Sequence, residues 1–452
     1  MTNAAAYQEL EKLYQERRNQ LVLLHGTYAS MMETGLDRFL ENKSHFYFYA
    51  GYASPQEQLF RLKRQLEEQN DIVIHKNTYD ECFNRLKGHN ADKLVLVIHE
   101  FQRMLPKDPS FMESILKLKN KLLYPGPIMI LLVTSSLSFY RKDMENLMTE
   151  EEIDSIDYDF EMGDYSFLEV SRMLPDMATP ELVTLYGVFG GSPRYLSHWS
   201  RKADFETNFL RVIAKGGLLE QEAKRLLREN FREYTVYETI LSSMARGNEK
   251  LNDIFRDTGF ARAKISVYLK HLAEFSFIEK RSSYVTGGWD HAQKGIYRIS
   301  HPILRFYYSF IMPHLSRYQR MSAKDFYEAY IKPRLSEFMK DVFVDVCREY
   351  LEILNRMQKL PFVVAEFSFW HGKEGDLDIL GVSAAGEYLV ASLSWNEGGY
   401  TLNKYNELLT IAKQAKVRPD AIYLFSEGGF ETALTEEIAG DSKVVTCDMA
   451  EL

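Results

Sequence analysis

The sequence predicts an α/β protein: a parallel-sheet unit first, a helical middle, and a second, smaller α/β unit at the end. Two observations carry this. Short apolar runs such as Leu21–Leu24 and Ile128–Val133 have the length and composition of strands buried on both faces. Amphipathic stretches with marked helix starts lie between such runs, and that alternation builds parallel sheets.

The elements follow in order. Residues 5–18 read as a leading helix and Gln20–His25 as the first buried strand. A second strand, His45–Ala50, stops before Ser54-Pro55-Gln56-Glu57. There Ser54 caps a helix, Pro55 takes its first position and Glu57 closes a capping box. Thr78-Tyr79-Asp80-Glu81 repeats that capping logic. A third strand, Lys93–His99, precedes a helix from about Ser110 to Leu122. Pro125-Gly126-Pro127 then breaks the chain before a fourth strand, Ile128–Thr134. Glu150–Asp164 holds eight acids and no Lys or Arg, the composition of an exposed acidic loop or of a site for a basic partner.

Residues 166–232 read as helical, with a break at Gly190–Pro193. From Thr235 to Ser300 the pattern is three short helices and a hairpin, the winged form of helix-turn-helix. Gly247 and Gly259 mark its turns, and Gly287-Gly288 separates Phe277–Tyr284 from Ile296–Ile299. Residues 301–358 are helical and rich in aromatics. Strands return at Val363–Phe369, Asp376–Val382, Glu387–Leu393 and Ala421–Phe425, with a helix at Leu402–Ala415 before the last.

Composition excludes several classes. At 452 residues the chain has room for about three domains. No apolar run approaches the ~20 residues of a membrane span, and the polar start, MTNAAAYQELEKLYQERR, has no apolar signal region. Cys82, Cys347 and Cys447 are too scattered for a metal site and suit a reducing cytoplasm, the expected compartment. His25, His45, His75 and His99 fall near strand ends without ligand spacing, so no metal site is expected. The net charge of -9 argues against a chain that coats nucleic acid, though not against one locally basic module.

Local strings then narrow the reading. Leu23-Leu24-His25-Gly26-Thr27-Tyr28-Ala29-Ser30-Met31-Met32-Glu33-Thr34 follows the first strand. Leu94-Val95-Leu96-Val97-Ile98-His99-Glu100-Phe101-Gln102 forms the third, and Leu131-Leu132-Val133-Thr134-Ser135-Ser136 closes the fourth. With Phe189-Gly190-Gly191-Ser192-Pro193-Arg194-Tyr195-Leu196, this layout resembles the archaeal-type ATPase family, within or near the STAND branch of AAA-like P-loop NTPases. The resemblance implies an AAA-like core at 1–165, a helical lid at 166–232 and a winged helix at 233–300. A helical connector at 301–358 and a restriction-endonuclease-like domain at 359–452 complete it.

In that family the phosphate loop ends Gly-Lys-Thr or Gly-Lys-Ser. Its lysine neutralises the β/γ-phosphates and its hydroxyl binds magnesium. Here Gly26 matches the first glycine, whereas Met31, Met32 and Glu33 stand at the second glycine, the lysine and the hydroxyl. Sliding the register offers Thr34 as the hydroxyl but still no lysine. His99 replaces the magnesium-linked Asp, and Glu100 matches the water-activating Glu. The lid string implies that Pro193 packs near an adenine and that Arg194 senses phosphates. ATP or ADP is thus expected to bind weakly if at all, and magnesium is not expected.

The would-be recognition helix carries Arg262, Lys264, Ser266 and Lys270, the residue types that meet phosphates and base edges. Residues 235–281 hold eight Lys/Arg against six Asp/Glu, so the surplus is slight. In the C-terminal unit the nuclease pattern needs an Asp, then a Glu and a Lys two apart on the next strand. Gly375-Asp376-Leu377-Asp378 supplies Asp378, with Glu366 upstream, but Ser392 and Ser394 stand where the Glu and Lys belong.

The expectation is a pseudo-ATPase scaffold or switch that contacts DNA, a protein partner or a second copy of itself. One alternative is an active ATP-dependent DNA-processing enzyme, which needs a cation from Arg38, Arg194 or a neighbouring subunit. The other is a purely structural interaction protein.

Overall fold

The computed structural model describes residues 3–26, 32–87, 93–105, 108–137, 139–284, 295–372, 375–396 and 398–449. The Gly287-Gly288 loop and residues 27–31 of the phosphate-loop string lie outside this set. The chain divides into two compact units, 1–164 with Ser192–Arg194, and 165–191 with 195–452.

The first unit is a five-stranded parallel sheet of β1 (Gln20–Gly26), β2 (His45–Tyr49), β3 (Leu94–His99), β4 (Ile128–Thr134) and β5 (Tyr158–Met162), ordered β2-β3-β4-β1-β5. Every residue of β1, β3 and β4 is buried. Their alternation feeds two cores. Leu21, Leu23, Leu96, Ile98, Ile130 and Leu132 pack on one face, and Val22, Leu24, Val95, Val97, Leu131 and Val133 on the other. Burial on both faces explains why these strands read as continuous apolar runs.

Two expectations are corrected here. Glu150–Asp164 is not a loop. It forms a helix, Glu150–Asp154, started by a Thr149–Glu152 capping box, and then β5, which pairs with β1. Along β5, Phe160 and Met162 are buried while Asp159 and Glu161 stay exposed, the pattern of an edge strand. The second correction concerns the helix Pro55–Asn70. Ser54 Oγ accepts from Glu57 N at 3.3 Å, but the Glu57 carboxylate pairs with Arg61 at 2.7 Å instead of closing the box. An i,i+4 guanidinium out-competes the neutral N-cap amide for that carboxylate.

The second unit begins with helices Phe167–Met173, Thr179–Phe189, Phe205–Ile213 and Leu218–Asn230. Helices Tyr234–Ala245, Leu251–Thr258 and Arg262–Glu274 follow, then an antiparallel pair, β6 (Ile278–Ser282) and β7 (Gly295–Ile299). The 25-residue helix Lys332–Arg356 leads to a second sheet: β8 (Val364–His371), β9 (Asp376–Ser383), β10 (Tyr388–Ser394), β11 (Ala421–Ser426) and β12 (Val444–Asp448). Its order is β12-β11-β10-β9-β8, antiparallel from β8 to β10 and parallel from β10 to β12. The sequence reading missed β12, a five-residue strand with a single buried residue, Cys447.

At the amino edge of the first sheet, buried Lys93 donates to Leu13 O at 2.9 Å, to Glu16 O at 2.8 Å and to Gln20 Oε1. An ammonium at the carboxyl end of the helix Asn3–Gln15 satisfies its last carbonyls and its dipole. Lys93→Met keeps the stem and removes the donors. It is expected to lower stability by about 2–3 kcal/mol, read as a reduced urea midpoint at unchanged slope.

Candidate functional site

Parallel sheets collect their ligand-facing groups beyond the carboxyl ends of the strands, where the strand order reverses. In the first unit that place lies beside β1, which sits between β4 and β5 while β2 is at the far edge. The residues there come from β1 (His25, Gly26), the end of β3 (His99, Glu100), the end of β4 (Thr134, Ser135) and β5 (Asp159).

Glu100 is the centre of this group. Its backbone is left-handed, at φ 58°, and its side chain is almost wholly buried. Gln102 Nε2 donates to it at 2.5 Å, Ser135 Oγ donates to its other oxygen, and the Arg103 guanidinium lies 3.4 Å away. Arg103 also donates to Ala50 O at 2.8 Å and covers the Tyr52 ring at 4.1 Å. Burial works against the Arg103 charge, but Tyr49 and Glu100 outweigh it and raise its pKa. Both Glu100 oxygens therefore accept from neighbouring side chains, which holds the carboxylate in place and weakens it as a base.

The imidazoles are also engaged. His99 Nδ1 meets the Tyr47 hydroxyl at 2.5 Å. His25 stacks on Tyr140 with centroids 3.5 Å apart, and its Nε2 lies 3.3 Å from Asp159 Oδ1. Tyr140 donates to the other oxygen of Asp159 at 2.6 Å. Burial and the Asp159 carboxylate push the Tyr140 hydroxyl up to about 12. Tyr140 and Asp159 were not legible as site residues, because β5 was read as a loop and their meeting with His25 spans the whole unit.

These residues do not fit a magnesium triphosphate. The strand ends present the carboxylates Glu100 and Asp159 with two imidazoles, and the string 27–33 contains no cation. Thr34 lies in the helix Met32–Leu40, where its side chain is outside the described set, and Arg38 is exposed on the same helix. Pro193 opens a short helix, and with Ser192 and Arg194 it groups with the first unit. Among the described residues, no cluster of three or more His, Cys, Asp or Glu side chains is placed to hold a metal ion.

The fold is P-loop ATPase-like. The strand order β2-β3-β4-β1-β5, with β1 ending at the Gly26 string and β3 at His99-Glu100, decides it. A model of the DUF234 family, described as archaeal and bacterial proteins of unknown function, matches residues 307–408. An uncharacterised protein of Methanocaldococcus jannaschii is 27% identical over 353 residues, covering 76% of this chain and 75% of that one. Among solved structures, a Walker-type ATPase of Pyrococcus abyssi aligns with TM-score 0.46 and 17% identity, over 67% of this chain and 94% of its own. The ORC2 protein of Aeropyrum pernix aligns at 0.41 and 14%, over 72% and 93%. Superpositions this loose say nothing about activity.

On the helix Arg262–Glu274, Ile265, Leu269 and Leu272 face inward, while Arg262, Lys264, Ser266 and Lys270 are exposed. Lys264 lies 5.2 Å from the Phe260 ring and Arg262 5.0 Å from Phe255. In the second sheet, the β9–β10 pairing runs to Ile379 with Ala391, and Asp378 and Ser392 follow just past its end. Ser394 donates to Gly399 O at 2.9 Å and accepts from Asn396 at 3.0 Å, and Glu366 is exposed on β8. One carboxylate and two hydroxyls make a poor divalent-ion site, since such ions need several charged oxygens.

Glu100→Ala leaves Arg103 without its carboxylate in a buried setting. A loss of about 3 kcal/mol is expected in chemical denaturation; a change below a few tenths would show that the network does not hold this end of the sheet together.

Proposed function

We propose that this protein is a pseudo-ATPase: a P-loop ATPase-like scaffold without phosphoryl-transfer chemistry, which contacts DNA through a winged helix at 233–300. The commitment of Glu100 to Ser135, Gln102 and Arg103 carries the first half. A carboxylate that already holds three donors is a weakened base toward water, and a triphosphate needs a cation where Met32 stands. ATP or ADP binds weakly at most, with Gly26, Thr34, Pro193 and Arg194 as its candidate contacts and no magnesium. The same reading holds for the C-terminal unit, a restriction-endonuclease-like domain in which Asp378 has lost its metal-binding companions.

The second half is supported by the exposed face of the helix 262–274. None of Arg262, Lys264 and Lys270 has an ion-pair partner among the described residues, so their charges are available to phosphate.

Calorimetry with ATP and ADP, with and without magnesium, is expected to show no micromolar binding, and turnover is expected at background for wild type and Glu100→Gln alike. Turnover abolished by Glu100→Gln would overturn the pseudo-ATPase reading. On duplex DNA, Arg262→Ala, Lys264→Ala and Lys270→Ala should each weaken binding and flatten the slope of log affinity against log salt by about 0.9. Unchanged slopes would place DNA elsewhere or nowhere.

A further inference from the structure

Where the helix Leu402–Gln414 ends and the chain turns toward β11, the second unit has a groove of about 440 Å³. Leu409, Val417 and Pro419 make its apolar wall, and Lys413, Lys416 and Arg418 its polar one. No carboxylate lines it, and none of the three cations has an ion-pair partner among the described residues. Asp420, the nearest acid in sequence, is engaged by Tyr388 N at 3.0 Å. The cations are not needed as helix caps either. Lys416 takes the left-handed position past the helix end, at φ 56°, and backbone bonds close that end. Val417 N donates to Ala412 O at 2.9 Å and Lys416 N to Lys413 O at 3.1 Å. Leu409 is left 37% exposed beside these charges.

Such a groove fits an apolar side chain set among carboxylates, and the chain carries that combination itself. In the first unit two short helices, Met144–Leu147 and Glu150–Asp154, follow one another. Leu147 is 43% exposed, and Glu145, Glu150, Glu151 and Asp154 around it in sequence are exposed too. None of these four acids has an ion-pair partner among the described residues. Glu152 is spent on the capping box, accepting from Thr149 N at 2.8 Å, and Lys119 is spent on Asp157 at 2.9 Å. Residues 143–157 hold seven acids and no Lys or Arg, so Leu147 stands in an uncompensated negative stretch.

We infer that this groove is an interface between copies of the chain, in which Leu147 and its acids on one copy dock against Lys413, Lys416 and Arg418 of another. At a net charge of -9 two copies repel as wholes. Attraction between them therefore depends on opposite charges meeting within a Debye length, about 8 Å at physiological salt. A single-stranded nucleic acid suits the groove less well, because no aromatic ring lines it for a base to stack on. The contact joins two different patches, so it repeats from copy to copy until the copies close a ring. It stands apart from the helix 262–274 and needs neither DNA nor nucleotide.

The test is sedimentation velocity of the full chain, freed of nucleic acid, over a concentration series at low and high salt. The mass is expected to rise above the monomer with concentration at low salt and to return to it at high salt. Lys413→Glu with Lys416→Glu, and separately Glu150→Lys with Glu151→Lys, should each weaken association by roughly tenfold or more, since each sets like charges face to face. Mixing the two variants, or joining all four changes in one chain, should restore association, which separates lost charge pairing from lost folding. Leu147→Ala should weaken it while leaving its salt dependence in place. A monomer at every concentration and salt, indifference to both charge reversals, or a mixture no better than either variant alone would overturn the inference.

Discussion

Burying β1, β3 and β4 on both faces at once is the constraint from which the first unit follows. A strand enclosed in this way can carry polar side chains only at its ends, so His25, His99, Glu100 and Thr134 all lie at one edge of the sheet. Crowding polar groups there has a cost unless each finds a partner. The network of Glu100 with Ser135, Gln102 and Arg103, and that of Asp159 with His25 and Tyr140, are how this chain meets that requirement from its own residues. A nucleotide and its metal would otherwise supply the missing partners.

The two α/β units depart from their resemblances in different electrostatic directions. Around Glu100 the carboxylate stays and is neutralised by donors on neighbouring strand ends and an adjacent arginine. Around Asp378 the carboxylate also stays, and burial raises its pKa against the pull of Lys340 and Lys404. The first arrangement is self-satisfied and favours rigidity.

Much of this was legible in the residues. β1 and β4 appear almost unchanged from their apolar runs, and the helix start at Ser54 was written in its cap. β5 was hidden because Tyr158-Asp159-Phe160-Glu161-Met162 alternates at a sheet edge and lies inside an acidic run. Its period of two was present, and charge composition masked it. Glu100 could be located from its string, but not the conformation that turns it toward Ser135.

The segment after β6 also covers an open edge of the second sheet. β8 is the last strand of its sheet, and such an edge offers open amides and carbonyls to any other extended chain. Here Tyr284 N donates to Phe369 O at 2.8 Å, His371 N donates to Ser283 Oγ at 2.9 Å, and Arg281 covers the Phe369 ring. The hairpin strand thus serves as a guard rail along that edge. A fragment beginning after residue 300 would keep its core yet lose the rail, exchanging a protected border for an adhesive one.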